Sequence, residues 1–275
     1  MSRFASLTLA AALIASWAGL AHAQDKPARK AADTPAATAA AAFEPHSGQP
    51  GKDVVWVPTP QVVVDKMLEI ARVTPADFVI GLGSGDGRTV ITAAQKGARA
   101  LGIEYHPDMV ELSRRAAETA GVSKQANFIK ADLFETSFAE ASVVTMFLLP
   151  ELNLKLRPKI LSLKPGTRIV SNTFMMVEWE PDAIADLAGQ PGCDISYCKV
   201  LYWLVPQNVA GTYRVTQGEL TLKQEFQMLT GTLKSGTTSL RVTGRVRGEA
   251  IDLSDGKKQY RAQMNGGVFD LREAN

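Results

Sequence analysis

The alternation of short apolar segments with helical segments in the middle of this chain constrains its fold most strongly. Five apolar runs are predicted as strands, over residues 77–82, 100–103, 126–129, 142–149 and 167–173. Strands that alternate with helices of about ten residues need right-handed crossovers and a parallel sheet covered on both faces. We therefore predict an α/β fold, with a doubly wound sheet.

The turn after the first predicted strand is rich in glycine. Residues 81–87 have the sequence Gly-Leu-Gly-Ser-Gly-Asp-Gly, and a helix is predicted over 88–96. Glycine permits positive φ and lets a ligand approach the backbone closely. The spacing does not fit the dinucleotide fingerprint G-x-G-x-x-G, and the lysine of a P-loop is missing. The turn is therefore not a standard pyrophosphate cradle.

Two acidic residues end the next two predicted strands. Glu104 follows the second strand and Asp132 follows the third. An acid at the carboxyl end of a parallel strand can accept hydrogen bonds from ribose hydroxyls. Turn glycines and surface acids would explain each feature singly. Their ordered combination favours a nucleoside pocket that does not require phosphates.

The glycine turn at 82–88, followed by Glu104 and Asp132, resembles the class I S-adenosylmethionine-dependent methyltransferases. The chain is also similar to the small lysine methyltransferases that modify the mitochondrial ATP synthase and the adenine nucleotide translocase. That similarity covers about residues 54–181, and its motifs are specific in combination. They are Val57–Pro60, Phe134, Ser142–Pro150, Lys164–Arg168 and Ser171–Phe174.

This resemblance implies a Rossmann-like methyltransferase sheet, S-adenosyl-L-methionine as cofactor, and N-methylation of a protein lysine or another amine. Glu104 would hold the ribose hydroxyls, Asp132 would lie near the adenine amine, and residues 56–59 would close over the cofactor. The implied cofactor-binding residues are Thr59, Gly81, Gly83, Ser84, Gly85, Asp86, Gly87, Glu104 and Asp132. The implied acceptor side is Phe147, Leu148, Leu149 and Pro150.

The chemistry that the resemblance implies needs few special side chains. Methyl transfer from a sulfonium is an in-line displacement, so alignment of a neutral nucleophile supplies most of the catalysis. A histidine or cysteine nucleophile is therefore not required.

Two positions depart from the pattern of the relatives. Most of them have an acid where this chain has Gly81, and the subgroup usually has tyrosine where Phe147 stands. Together with an export signal at the N-terminus, these departures leave open a non-catalytic binding protein of the periplasm with a methyltransferase fold. A different nucleoside-using enzyme is a third alternative.

The N-terminus has the features of an export signal. Arg3 gives a basic start, residues 4–20 are uncharged and apolar or small, and Ala21-His22-Ala23 fits a cleavage site. An uncleaved anchor is the alternative, but a run of 17 residues is at the short limit for a span. We predict a signal peptide over 1–23, a periplasmic or secreted protein, and no stable membrane span after cleavage.

The rest of the chain divides into three segments. Residues 24–52 are rich in alanine and proline and are predicted as a disordered tether. Residues 53–205 are predicted as the methyltransferase-like domain. From 206 to 275, short strands separated by turn glycines predict a small antiparallel β meander or partial barrel.

Composition excludes some kinds of partner. A net charge of +2 argues against electrostatic capture of nucleic acid. The three histidines and two cysteines lack the spacing of metal ligands, so no metal site is expected. Cys193 and Cys198 would pair in an oxidising compartment, but not if both lie on one continuous strand, where they would face opposite sides. The sequence leaves that alternative open.

Overall fold

The computed structural model describes residues 43–193 and 196–274. They contain two seven-stranded sheets. The predicted signal peptide at 1–23 and the first part of the predicted tether, 24–42, lie outside the described residues. No helix within the described ranges is long and apolar enough to cross a bilayer.

The first sheet confirms the predicted doubly wound α/β fold. Strands β1 to β5 are parallel, β7 is antiparallel to both β5 and β6, and the order is β3-β2-β1-β4-β5-β7-β6. The strands are β1 (Phe78–Leu82), β2 (Arg99–Glu104), β3 (Ala126–Lys130), β4 (Val143–Met146), β5 (Arg168–Asn172), β6 (Ala183–Asp186) and β7 (Lys199–Leu204). The strand order reverses between β1 and β4, where ligands bind in open α/β sheets.

Helices cover both faces of this sheet. They are α1 (Gln61–Ile70), α2 (Arg88–Gln95), α3 (Pro107–Thr119) and α4 (Pro150–Leu161). Val79 of β1 belongs to the apolar core beneath α1, α2 and α3, whereas Ile80 belongs to the core beneath α4. Successive strand residues point to opposite faces, so a continuous apolar strand fits a sheet buried on both sides.

The structure pairs Cys193 with Cys198. Their Cα atoms are 6.0 Å apart, both side chains are buried, and β7 begins only at Lys199. The two cysteines therefore do not share a strand, and the geometric objection to the disulfide does not apply.

The second sheet is an antiparallel meander in which each strand pairs with the next in sequence. Its strands are β8 (Gly211–Val215), β9 (Gly218–Glu225), β10 (Met228–Ser235), β11 (Thr238–Arg247), β12 (Ala250–Ser254), β13 (Gln259–Asn265) and β14 (Val268–Glu273). Side-chain contacts show that the first and last strands lie close together. Tyr213 of β8 stacks on Phe269 of β14 with ring centroids 4.6 Å apart. The Gln217 amide also donates to the Leu271 carbonyl at 3.3 Å. The sheet therefore curls into a partial barrel around an apolar core.

The prediction that the disordered tether extends to residue 52 is wrong for residues 43–52. Two of these residues are hydrogen-bonded to Trp56: Gly48 N–H donates to Trp56 O at 2.8 Å, and Trp56 N–H donates to Gln49 O at 2.9 Å. The Phe43 ring stacks on His106, and Gln49 is buried. Composition did not predict this order, because a short hairpin and contacts with distant residues create it. We call residues 43–58 the strap.

Candidate functional site

The glycine turn depends on its glycines for backbone geometry and close packing. Gly83, Gly85 and Gly87 have φ values of 64°, 56° and 81°, a backbone region that residues other than glycine rarely adopt. A Cβ on Gly87 would lie 2.8 Å from Ser113 Cβ, and one on Gly85 would lie 2.5 Å from Trp56 Nε1. The turn is therefore held between α3 and the strap.

Glu104 connects this turn to the start of α3. Its Oε2 accepts a hydrogen bond from Gly85 N–H at 2.9 Å, and its Oε1 accepts one from His106 N–H at 2.9 Å. A carboxylate oxygen has two acceptor sites, so each oxygen keeps one for another donor. The arrangement fits the predicted acceptance of ribose hydroxyls.

Asp132 lies two residues beyond β3, at the same edge of the sheet. Its Oδ2 pairs with Lys52 of the strap, and its Oδ1 accepts a hydrogen bond from Phe134 N–H at 2.8 Å. The Lys52 ammonium, followed by the Phe134 amide, holds the pKa of this carboxyl below its usual value. The Lys52 ammonium also lies 5.0 Å from the centroid of the Tyr105 ring. The carboxylate is thus ionised at neutral pH and contacts the strap.

Asp86 and Thr59 are linked through Arg88. The Asp86 carboxylate accepts from Arg88 Nε at 3.0 and 2.9 Å. Arg88 Nη1 donates to the Thr59 carbonyl at 2.9 Å. Both residues line the cleft, but these contacts show that Asp86 stabilises the turn and joins it to the segment before α1.

Gly81 lies inside β1 rather than in the turn. A Cβ there would come within 2.9 Å of Val90 Cγ2 and 3.5 Å of Thr145 Oγ1. An acidic side chain at this position therefore requires the Val90 side chain to move. Close packing of α2 on β1 gives a physical reason for the absence of the acid.

The site has donors and acceptors suited to an adenosyl cofactor. Ser84 Oγ is buried, and the described residues give it no hydrogen-bond partner. Buried hydroxyls usually have partners, so this atom is available to a ligand. Together with the acceptors of Glu104 and Asp132, it fits the hydroxyl and amine groups of S-adenosylmethionine. No cluster of acidic, histidine or cysteine side chains in the described ranges is suited to a metal ion.

The four residues of the predicted acceptor side occupy different environments. Phe147 packs against the rings of Phe174 and Tyr197, with centroid distances of 5.8 and 5.4 Å. Leu148 is buried beneath the glycine turn, where a Cβ on Gly83 would be 3.2 Å from Leu148 Cδ2. Leu149 is exposed, and Pro150 begins α4. Within this group, Phe147 contributes to an aromatic surface.

Sequence reasoning assigned no role to Lys52 or Tyr197, both of which line the cleft. Lys52 is the last residue of the predicted tether. Tyr197 precedes β7, whose antiparallel pairing with β5 was not predicted. The apolar run at 200–205 indicates a further strand. A strand that is antiparallel to its neighbour starts at the edge of the sheet where the neighbour ends, so the residues just before this run lie near the site.

Comparison with known proteins identifies the family. The ANTKMT methyltransferase domain matches residues 81–183. A protein-lysine N-methyltransferase of Saccharolobus islandicus is 44% identical over 134 residues, which are 48% of this chain and 83% of that protein. The mouse adenine nucleotide translocase lysine N-methyltransferase is 34% identical over 53% of this chain and 68% of its own length.

A third relative and one solved structure extend the comparison. The mouse ATP synthase lysine N-methyltransferase is 37% identical over 46% of this chain, and the match spans about half, 51%, of that protein. The structure is an RNA methyltransferase from Salinibacter ruber in complex with S-adenosyl-L-homocysteine. It is 47% identical, with a TM-score of 0.52, over 56% of this chain and 96% of the other. The chain therefore belongs to the ANTKMT methyltransferase family and is an S-adenosylmethionine-dependent methyltransferase.

Proposed function

We propose that this protein transfers a methyl group from S-adenosylmethionine to the ε-amine of a lysine in a protein acceptor. The observation that carries the proposal is one cleft, at the carboxyl edge of the first sheet, that contains both kinds of surface. Glu104 and the glycine turn provide polar groups for the cofactor. Phe147, Phe174 and Tyr197 provide an apolar aromatic wall for the acceptor.

Each part of the cleft has a defined task in this reaction. S-adenosylmethionine, when bound, supplies an electrophilic methyl group on a positively charged sulfur. Glu104 fixes the ribose end, and Trp56 of the strap lies over Gly85 and limits the entry of water. The aromatic wall guides the neutral amine toward the cofactor. Alignment of the reacting groups supplies most of the catalysis.

Two observations favour protein over RNA as the acceptor. The archaeal and mouse relatives are named lysine methyltransferases, whereas the Salinibacter protein is named an RNA methyltransferase. The net charge of +2 gives this chain little electrostatic attraction for phosphates. Methylation of RNA is therefore an outcome that the test must separate from methylation of protein.

The test supplies methyl-labelled S-adenosylmethionine to the purified protein, with either a bacterial periplasmic extract or total RNA. We expect label in protein, and a large loss of label with the Glu104→Ala variant. Label confined to RNA would contradict the proposal. Binding of S-adenosylhomocysteine without transfer to any fraction would instead support the non-catalytic alternative.

We further propose that the protein acts in the periplasm or is secreted. Residues 1–23 have the features of a cleavable signal, and the Cys193–Cys198 disulfide suits an oxidising compartment. Fractionation of a Gram-negative host that expresses the full gene tests this. We expect the protein outside the cytoplasm with its N-terminus at Gln24, whereas an intact Met1 on cytoplasmic protein would contradict it.

A further inference from the structure

Three aromatic side chains form one cluster in the cleft. Phe147 stacks on Phe174 with ring centroids 5.8 Å apart, and Tyr197 meets Phe147 edge-on at 5.4 Å and Phe174 at 5.8 Å. Each side chain is only half-buried, and all three line the cleft that contains the glycine turn. We call these three residues the aromatic cluster.

The topology of the first sheet brings the three rings together from distant parts of the chain. Phe147 directly follows β4, and Phe174 lies two residues beyond β5. Tyr197 lies two residues before β7, and Val200 of β7 pairs with Asn172 of β5. The start of β7 therefore lies at the carboxyl edge of the sheet, where the cofactor binds in this fold.

The disulfide anchors the backbone next to Tyr197. Cys198 is buried in the core, is bonded to Cys193, and accepts a hydrogen bond from Leu187 N–H at its carbonyl, at 2.9 Å. A ring held this way loses little further freedom when a ligand binds, which favours affinity.

Phe174 is anchored separately. Its carbonyl accepts a hydrogen bond from Ser171 Oγ at 2.8 Å and another from Asn153 Nδ2 at 3.2 Å. Two of the three rings are thus positioned by groups outside the cluster.

Resting on the proposed lysine methylation, in which the aromatic cluster receives the acceptor side chain, we infer that the Cys193–Cys198 disulfide is a positioning element that holds the Tyr197 ring in this cluster. In the transfer, the lone pair of the lysine nitrogen forms the new N–C bond while the S–C bond breaks. The S–C electron pair stays on the sulfur, and the positive charge ends on the nitrogen. Ring faces attract a cation, and the ring bodies pack against the apolar lysine stem.

The test measures binding to the full protein saturated with S-adenosylhomocysteine, by NMR titration. The probes are Nα-acetyl-Nε-trimethyllysine methylamide and a neutral isostere in which carbon replaces the quaternary nitrogen. We expect the cation to bind about three- to tenfold more tightly than the isostere. Tyr197→Ala should remove most of this preference, and Tyr197→Phe should keep it because the ring is retained.

The positioning of Tyr197 by the disulfide is tested with the same preference for the cationic probe. Cys193→Ala/Cys198→Ala should reduce the preference as Tyr197→Ala does, and adding Tyr197→Ala to that double variant should change little more. Unchanged affinity for S-adenosylhomocysteine in every variant shows that the fold is kept. Equal binding of the two probes by the unmodified protein, or an unchanged preference in either Tyr197→Ala or the cysteine double variant, would overturn the inference. Absence of methyl-lysine in the transfer assay would overturn only the proposed function, because the binding assay requires no turnover.

Discussion

At the scale of single residues, Glu104 holds the candidate site together. One carboxylate oxygen is bound by Gly85 N–H in the glycine turn and the other by His106 N–H before α3. The spacing from the turn to the end of β2 predicts that Glu104 lies beside the turn, because strand ends of a parallel sheet share one edge. Tyr197 could not be predicted in the same way, since its place depends on pairing between β5 and β7.

Removal of the Glu104 carboxylate should weaken cofactor binding. Glu104→Ala loses the acceptors for the ribose hydroxyls and leaves Gly85 N–H without its partner. We expect affinity for S-adenosylhomocysteine to fall about 10- to 100-fold, as for lost hydrogen bonds to a charged group. Calorimetry measures this, with Glu118→Ala on the exposed surface of α3 as control. Equal affinities for the two variants would contradict the assignment.

Gly81 offers a second test at the residue scale. Gly81→Ala places a Cβ 2.9 Å from Val90 Cγ2, so we expect the free energy of unfolding to fall by about 1–3 kcal/mol. Val90→Ala removes the clashing atoms, so in that background the same substitution should cost less. Urea denaturation of the two single variants and the double variant measures the coupling. If the losses of unfolding free energy in the two single variants simply add up in the double variant, then Val90 is not what obstructs a Cβ at position 81.

At the scale of elements, Asp77 and Arg168 connect β5, β1 and the end of α1. The buried Asp77 accepts hydrogen bonds from Thr74 N–H at 2.8 Å and from Ser142 Oγ at 2.7 Å, and it pairs with Arg168. Arg168 Nη1 also donates to the Ala71 carbonyl at 2.7 Å. The sequence motif that contains Arg168 therefore has a structural role here.

The pH dependence of stability should reflect Asp77. Burial tends to raise the pKa of Asp77, but the hydrogen bonds from Ser142, Thr74 and Arg168 outweigh it and lower the pKa overall. The stabilisation is therefore complete above the unfolded pKa of about 4 and is lost as pH falls through the lower folded value.

Asp77→Asn should cost about 3 kcal/mol at neutral pH, because it leaves Arg168 without its charge partner. The difference from the unmodified protein should shrink below about pH 4. Urea denaturation across this range measures it, with the exposed Asp65→Asn as control. A difference that stays constant down to about pH 2 would contradict the role of the Asp77 charge.

Helices and strands with local sequence signals were predicted better than elements that depend on distant contacts. The helix predicted over 88–96 matches α2 to within one residue, because the glycines at 87 and 97 that bound it are local signals. The strand β6 was missed, since its four residues have little apolar pattern. The strap was missed for a related reason. Its order depends on contacts such as Lys52 with Asp132, which composition does not encode.

At the scale of the whole molecule, the partial barrel packs on the α/β domain through an interface that has both apolar and polar contacts. Phe226 stacks on Trp179 with ring centroids 6.0 Å apart. The Gln227 amide donates to the Glu180 carbonyl at 2.7 Å, and Arg245 pairs with Asp182 at 2.6 Å. Arg245 of β11 therefore joins the second sheet to the α/β domain.

This interface should make the two sheets unfold together. We expect one calorimetric transition for the unmodified protein. Phe226→Ala should lower the free energy of unfolding by about 3 kcal/mol, since it removes a ring packed on Trp179. The exposed Val268→Ala is the control. Two separate transitions in the unmodified protein would contradict this coupling.

The chemical identity of the methylated group tests the central claim most directly. The protein is incubated with S-adenosylmethionine that carries a deuterated methyl group and with a periplasmic extract, and the proteins are then hydrolysed to amino acids. Mass spectrometry should find the labelled methyl group on the ε-nitrogen of lysine, at a level that collapses with Glu104→Ala. Protein that binds S-adenosylhomocysteine yet leaves lysine free of label would contradict the account.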